Sequence, residues 1–196
     1  RQAAEQEAPG LALPAILSTC WRRQAGVQIR TPSSFKFAQL GLIHDQDYLN
    51  GVARGVFVNG CGTKDRIVHE AALWSVGAMV GAVDAVLGPA PARVAMTPVG
   101  AFDAAYPDHG EHGCTYNGIA MAIQHALLLR QCRRVLTIYG DGDFPLGTIK
   151  ILTRTASKTA TIWHMPTMCA TEAPGESGAA QLRILIRHLR AEVARP

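Results

Sequence analysis

No Cys-x-x-Cys pair occurs in these 196 residues, and the five cysteines, at positions 20, 61, 114, 132 and 169, are widely spaced and odd in number. That pattern excludes a ribbon-type structural zinc site and a disulfide framework. It fits a reducing compartment, so a cytoplasmic protein is expected. A secretory signal pattern is also missing, and the first residue is Arg1 rather than methionine, which leads to the expectation of a trimmed chain. No internal repeat and no domain linker is found. Nor is there an unbroken apolar run of membrane-span length. The most hydrophobic stretch, 71–87, is interrupted by glycines and Asp84 and predicts a buried helix, with no membrane as partner. Charged residues make up only 17% against 48% apolar, which excludes a disordered chain and describes a soluble globular one. The net charge of +4 comes from scattered basic residues; Arg183, Arg187, Arg190 and Arg195 form one stripe on the last predicted helix. Without a nucleic-acid-binding motif, that stripe reads as a solvated face and no specific nucleic acid is expected.

The length suits one α/β core, so residues 1–196 are expected to form a single domain. Residues 1–13 are weakly specified, a helix or a loose end, and Thr31-Pro-Ser-Ser34 is a connector. Asp65 can cap a long helix over 66–87, with Ile67, Ala71, Trp74, Ala78 and Val83 as its apolar stripe and Gly88-Pro89 as its stop. A strand is predicted over 93–97, and a helix over 117–131 with Asn117 as its cap. Strands follow at 134–139 and 159–163, then a loop over 166–178 and a closing amphipathic helix over 179–194. Strands alternating with helices imply a mainly parallel sheet covered on both faces.

What stands out is the way the strand Val135-Leu-Thr-Ile-Tyr139 ends in Gly140-Asp-Gly-Asp143. Carboxylates two residues apart on a strand share a face, and the C-terminal ends of parallel strands are where open α/β sheets hold ligands. Asp141 and Asp143 are therefore candidate metal ligands. A tight Asp-Gly turn that merely closes the strand accounts for the same residues.

Read outward from there, the chain resembles the zinc-dependent histone deacetylases and acetylpolyamine amidohydrolases. Leu42-Ile-His-Asp-Gln-Asp-Tyr48 is similar to the family's His-Asp-x-x-Tyr segment, and Gly60-Cys-Gly-Thr-Lys-Asp65 to its Gly-x-Gly-Thr-[Lys/Arg]-Asp loop. Val94 to Phe102 stands where a strand and glycine turn lead to the catalytic histidines, and Asp108-His-Gly-Glu-His-Gly-Cys-Thr-Tyr-Asn-Gly118 resembles Asp-His-Gly-Gly-Gly-Phe-Cys-Thr-Phe-Asn-Gly. The segment 135–148 resembles Asp-x-Asp-x-His-His-Gly-x-Gly-Thr, and Thr159 to His164 the next strand. The resemblance implies a three-layer sandwich with a mainly parallel sheet, the deacetylase (arginase-like) fold, truncated at its C-terminal end. It also implies an acetylated lysine or polyamine-like ligand near Gly113 and Cys114, and a buried structural role for His164.

The departures bear on activity. Where the family has adjacent catalytic histidines this chain has Asp103 and Ala104; the family's zinc-binding Asp and His correspond to Asp141 and Asp143. No aspartate follows Asp143 and no tyrosine follows Tyr139, so the family's last zinc-binding Asp and its carbonyl-polarising Tyr have no counterpart. A catalytic zinc usually has three protein ligands that include nitrogen or sulfur, whereas a pair of carboxylates suits Mg, Ca or Mn better. Losing one oxyanion donor alone typically costs ~10²–10³ in rate. Asp103 in place of imidazole is a far weaker base at neutral pH, and His109 or His112 would have to supply one.

Three functional expectations follow. The first is a catalytically impaired or non-catalytic deacetylase-like protein retained for binding or assembly. The second is an active metal-dependent amide hydrolase that uses Asp103, His109 or His112, or a partner chain, with zinc as cofactor. The third is a divalent-cation-binding or structural module on Asp141 and Asp143, with Mg, Ca, Mn or no metal at all; a thiamine-diphosphate site is disfavoured because no asparagine follows Asn117. A shortened sheet leaves an edge for a partner protein or a second copy to cover.

Overall fold

The computed structural model describes residues 26–100, 102–129, 132–139, 145–155 and 161–166, together with Arg187 and Arg190. The chain divides into two compact units, Arg1–Pro32 and Ser33–Pro196. In the first, residues 26–32 are irregular and exposed.

The second unit carries the recognisable elements. A 3₁₀ turn over Phe37–Leu42 leads into α1 (Gln46–Ala53), followed by α2 (Arg66–Leu87), α3 (Gly118–Leu129), β1 (Arg134–Tyr139), α4 (Leu146–Thr155) and β2 (Thr161–Pro166). In α1, Tyr48, Leu49 and Val52 are spaced to bury one face, and Asp45 enters the helix in an extended conformation. The chain turns back at once. Gly55 has φ +69, and the amides of Val56 and Phe57 donate to the Gly51 carbonyl at 2.8 and 3.0 Å. The Phe57 ring lies over Gly51 so closely that a Cβ there would fall 2.3 Å from it.

The predicted limits of α2 hold: the Asp65 carboxylate accepts the Ile67 amide at 3.0 Å, and the helix ends at Gly88. Its predicted stripe holds only in part: Val83 packs against the core. Ile67 is 57% and Trp74 47% exposed, whereas Val76, Gly77 and Val80 are buried. The helix is apolar on most of its circumference, so periodicity could not pick the inner face; packing picks it. Gly77 lies against the backbone of Ser33, where a Cβ would sit 1.9 Å from the carbonyl oxygen, and the Phe35 amide donates to Leu73 O at 3.0 Å. The expected buried helix is buried along one side: Val76, Gly77 and Val80 are buried outright and Ala72, Leu73, Met79 and Val83 pack against the core. By length and composition alone α2 is long and apolar enough to cross a membrane, with mean hydropathy 1.4 over its best window. Here it packs against α3, joined by a 2.7 Å ion pair between His125 Nε2 and Asp84 Oδ1.

The predicted strand at 93–97 is not formed. Residues 91–100 include no strand, and Val94 and Met96 are 80% and 67% exposed. The segment has β-type residues, but a strand also needs a hydrogen-bonded neighbour. β1 and β2 do pair, in parallel, from Arg134 opposite Thr161 to Tyr139 opposite Pro166, with α4 as the crossover between them. Ile138 on β1 is 43% exposed, so the run is less buried than its composition suggested. Two described strands do not by themselves make the expected three layers. The N-terminal stretch 1–13, the loop at 167–178 and most of the closing helix lie outside the described residues; Arg187 and Arg190 are helical and exposed.

The core joins Leu40 and Ile43 to Tyr48, Leu49 and Val52 of α1, Val76 and Val80 of α2, Met121 and Ile123 of α3, and Ile151 and Leu152 of α4. Phe102 and Tyr116, which bracket the segment described next, belong to the same cluster.

Candidate functional site

Residues 102–117 form a compact reversal that ends in the N-cap of α3. Ala105 and Gly110 make an antiparallel bridge; the Tyr106 amide donates to His109 O at 2.8 Å and the Glu111 amide to Ala104 O at 3.1 Å. The glycine-rich loop at 60–62 closes over it. The Gly113 amide donates to Gly60 O at 2.8 Å, and the Gly60 amide to Thr115 Oγ1 at 3.2 Å. Gly60 and Gly110 both press on the Cys114 carbonyl, where a Cβ from either would come within 2.2 Å. Glycine is required at both positions because the backbones touch.

Asn117 organises the other side. It is fully buried; its Oδ1 accepts the Ala120 amide at 2.8 Å, which makes it the cap predicted from the sequence. Its Nδ2 donates at 3.0 Å to both Ala105 O and Thr148 Oγ1. The Asn117 amide donates to His44 Nε2 at 3.0 Å, and His44 Nδ1 donates to Tyr106 O at 2.8 Å. Both nitrogens are thus committed with the proton on Nδ1, and burial lowers the His44 pKa from 6.5 to about 4. Tyr48 donates to Thr115 O at 2.8 Å, and its pKa is raised by burial. His69 Nδ1 meets the Tyr116 hydroxyl at 2.7 Å; burial lowers the His69 pKa and raises that of Tyr116.

The start of α4 seals the floor. The Thr148 amide donates to Asp103 O at 3.2 Å, and a Cβ on Gly147 would fall 2.5 Å from the carbonyl oxygens of both Asp103 and Ala105. The first turn of α4 therefore lies against the carbonyl of Asp103. Asp141 and Asp143 themselves lie outside the described residues.

Of the site residues predicted from the sequence, the structure brings Asp103 and Cys114 together. Cys114 Sγ lies 3.9 Å from Asp103 Oδ1; it is buried, and burial pushes its thiol up to about 11. Gly113 is exposed with φ +82. His109 and His112 are engaged at the surface. His109 Nδ1 donates to Asp108 Oδ1 at 2.7 Å, a contact that holds the Asp108 carboxyl below the usual range. His109 Nε2 lies 3.5 Å from Glu111 Oε1, and His112 Nε2 3.9 Å from Glu111 Oε2. The His109 ring stacks on Tyr106 at 4.4 Å between centroids, with Lys150 Nζ 4.8 Å from the Tyr106 centroid. Among the described residues, no three metal-ligating side chains converge on one point as they stand. The hydrogen bonds of His44 and Tyr48 are not announced by their motif. The available signal was the rule that a buried polar side chain must find partners.

No family model matches the sequence, and a search of curated proteins likewise found no match. Among solved structures the chain is similar to the HDA15 HD domain, with a TM-score of 0.63 and 16% sequence identity, over 87% of this chain and 49% of that one. The fold is thus like that of a histone deacetylase domain, and the chain spans about half the length of that domain.

Proposed function

We propose that this chain is a deacetylase-fold protein, a three-layer sandwich with a mainly parallel sheet, in which amide hydrolysis is lost or nearly lost and the fold serves binding or assembly. One observation carries the reading. Asp103 and Ala104, which stand where the resemblance puts a histidine pair, sit at a fixed turn, with the Asp103 carbonyl tied to Thr148 and the Ala104 carbonyl to Glu111. A carboxylate and a methyl group cannot do the work of two imidazoles, because one lacks basicity at neutral pH and the other lacks any proton to move. The two nearby histidines, His109 and His112, are already partnered by Asp108 and Glu111.

Asp141 and Asp143 belong to the same reading as an oxygen-donor pair for a hard cation such as Mg, Ca or Mn, or for zinc. Support comes from the ends of their loop: β1 delivers the chain at Tyr139, and Thr148 fastens it to Asp103. The alternative is an active hydrolase of acetyl-lysine or acetylpolyamine that uses substitute groups of this chain, such as Asp103, His109 or His112, or a partner chain, the latter in keeping with the likeness to a domain twice as long. Both are tested by incubating the purified chain with zinc and a fluorogenic acetyl-lysine substrate. No turnover above buffer is expected; turnover that disappears in Asp141→Ala overturns the non-catalytic reading and establishes the alternative.

A further inference from the structure

We propose that the outer face of α2 pairs with the same face of a second copy, running antiparallel, as a weak two-fold dimer that does not use the sheet edge. Ile67, Ala71, Trp74, Ala78, Gly81 and Ala85 follow one another at alternating intervals of four and three residues. That is the spacing of a heptad seam, which puts all six on one side of a helix. The core uses the other side. Val76, Gly77 and Val80 turn inward, whereas Ile67, Ala71, Trp74 and Gly81 are exposed. A helix that is apolar away from its own core presents the surface that another helix covers.

Shape and charge point to the occupant. Trp74 stands out as a knob, and two turns further on a Cβ placed on Gly81 would meet nothing within 4 Å, so the helix surface there is an open dent. An antiparallel pair with its axis midway between the two residues sets Trp74 of each copy over Gly81 of the other. The same contact is then made twice, which is the self-complementarity of a two-fold interface. A parallel pair would set Trp74 against Trp74. Antiparallel pairing also brings the exposed Lys64 and Arg66, at the start of α2, to the C-terminal end of the other copy's helix, whose last turn has no basic residue. Against it, Glu70 comes near Asp84 of the second copy, and this repulsion keeps the pair weak. Size says the same. The 22-residue helix is about 33 Å long and about 10 Å wide, about 330 Å² for each copy, against the ~800 Å² per partner of a stable complex.

The test is sedimentation equilibrium of the tag-free full chain from about 5 µM to about 1 mM, with a thermal melt of each variant at the low end. The average mass should rise from one chain towards two and stop there. Trp74→Ala should weaken the pair at least about tenfold. Gly81→Leu should weaken it as much while keeping or raising the melting temperature, because the added side chain meets open space in the single chain and glycine is a poor helix former. Loss of pairing in a better-folded variant does not come from misfolding. Three results overturn the proposal: one-chain mass at every concentration, mass that climbs past two copies without a plateau, or pairing unchanged in both Trp74→Ala and Gly81→Leu. In the first case, binding of the single chain to phosphatidylserine vesicles that is lost in Trp74→Ala assigns the face to a lipid surface instead. None of these outcomes depends on amide hydrolysis, so the fate of the pair is separate from that of the deacetylase-like reading.

Discussion

Protonating His44 should unlatch the scaffold that holds the candidate site, and the effect can be worked out. Its Nε2 accepts the Asn117 amide at 3.0 Å and its Nδ1 donates to Tyr106 O at 2.8 Å, so a second proton removes the acceptor for Asn117 and charges a side chain only 3% exposed. The folded pKa, about 4, lies below the unfolded value of 6.5. The unfolded chain therefore takes up the proton first. The neutral-His44 contribution is complete above pH 6.5, falls as pH drops from 6.5 towards 4, and changes no further below that. At 1.36 kcal/mol per pKa unit the full loss is about 3 kcal/mol, most of it reached by pH 4.5.

Urea unfolding of the wild type and of His44→Gln at pH 7.5 and 4.5 isolates this contribution, because glutamine still accepts and donates but does not titrate. The variant should be less stable than the wild type at pH 7.5, and the gap should close by about 2–3 kcal/mol at pH 4.5. Carboxylates titrate in both proteins and cancel in the difference. An unchanged gap, or an NMR titration of His44 with a midpoint near 6.5, would falsify the assignment.

Asn117→Ala removes the helix cap and strands buried acceptors at Ala105 and Thr148, so a loss of about 2–4 kcal/mol is expected in denaturant midpoints; Asn117→Asp, which keeps the cap oxygen, should not restore it. Val76→Ala should cost about 1–3 kcal/mol and Trp74→Gln no more than about 0.5, the reverse of what the apolar stripe read from the sequence implies. In native protein at pH 8, iodoacetamide should label the exposed Cys61 and spare Cys114 until urea unfolds the chain, as peptide mass spectrometry would show; equal labelling would contradict the burial that raises the Cys114 thiol. Gly147→Ala should cost about 1–3 kcal/mol, because the methyl would meet the carbonyl oxygens of Asp103 and Ala105 at 2.5 Å.

Elements whose limits are set by local chemistry were legible in the sequence. Asp65 and Gly88 bound α2, Asn117 starts α3, and the apolar run to Tyr139 is β1, because caps and strand-forming residues act within a few positions of themselves. Which face turns inward was not legible for α2, since Ile67 and Trp74 are as apolar as Val76 and only the Ser33–Phe35 crossing distinguishes them. Val94 and Met96 failed for a related reason: their composition is that of a strand, but strand formation depends on a neighbour the local sequence does not contain. In the candidate site, the approach of Asp103 to Cys114 was not legible, because it joins residues on either side of the reversal. The contacts of His109 and His112 with Asp108 and Glu111 also depend on that reversal, whose geometry rests on Gly110 and the distant Gly60, some fifty residues away in the chain, touching the Cys114 carbonyl.

These placements give the resemblance motifs a structural use. The motifs that carry the resemblance are His44 with Tyr48, the glycine loop at 60–65, Cys114 to Gly118, and Gly147-Thr148. The structure employs them on one another: His44 on Asn117, Tyr48 on Thr115, Gly60 on Cys114, Thr148 on Asn117 and Asp103. Each is buried or in backbone contact, so replacing any of them leaves an unpaired polar group or a steric clash whether or not the protein hydrolyses anything. Selection for folding alone is enough to keep them. Asp103 and Ala104, which differ from the family pattern, are held in this network by their carbonyls. The resemblance visible in the sequence is therefore matched here by contacts of the scaffold. If the network uses only the carbonyl of Asp103, Asp103→Asn should leave the denaturant midpoint within about 0.5 kcal/mol of wild type, in contrast to the losses expected at His44, Asn117 and Gly147. A large loss at Asp103 would mean that its carboxylate, 3.9 Å from Cys114 Sγ, is part of the scaffold after all.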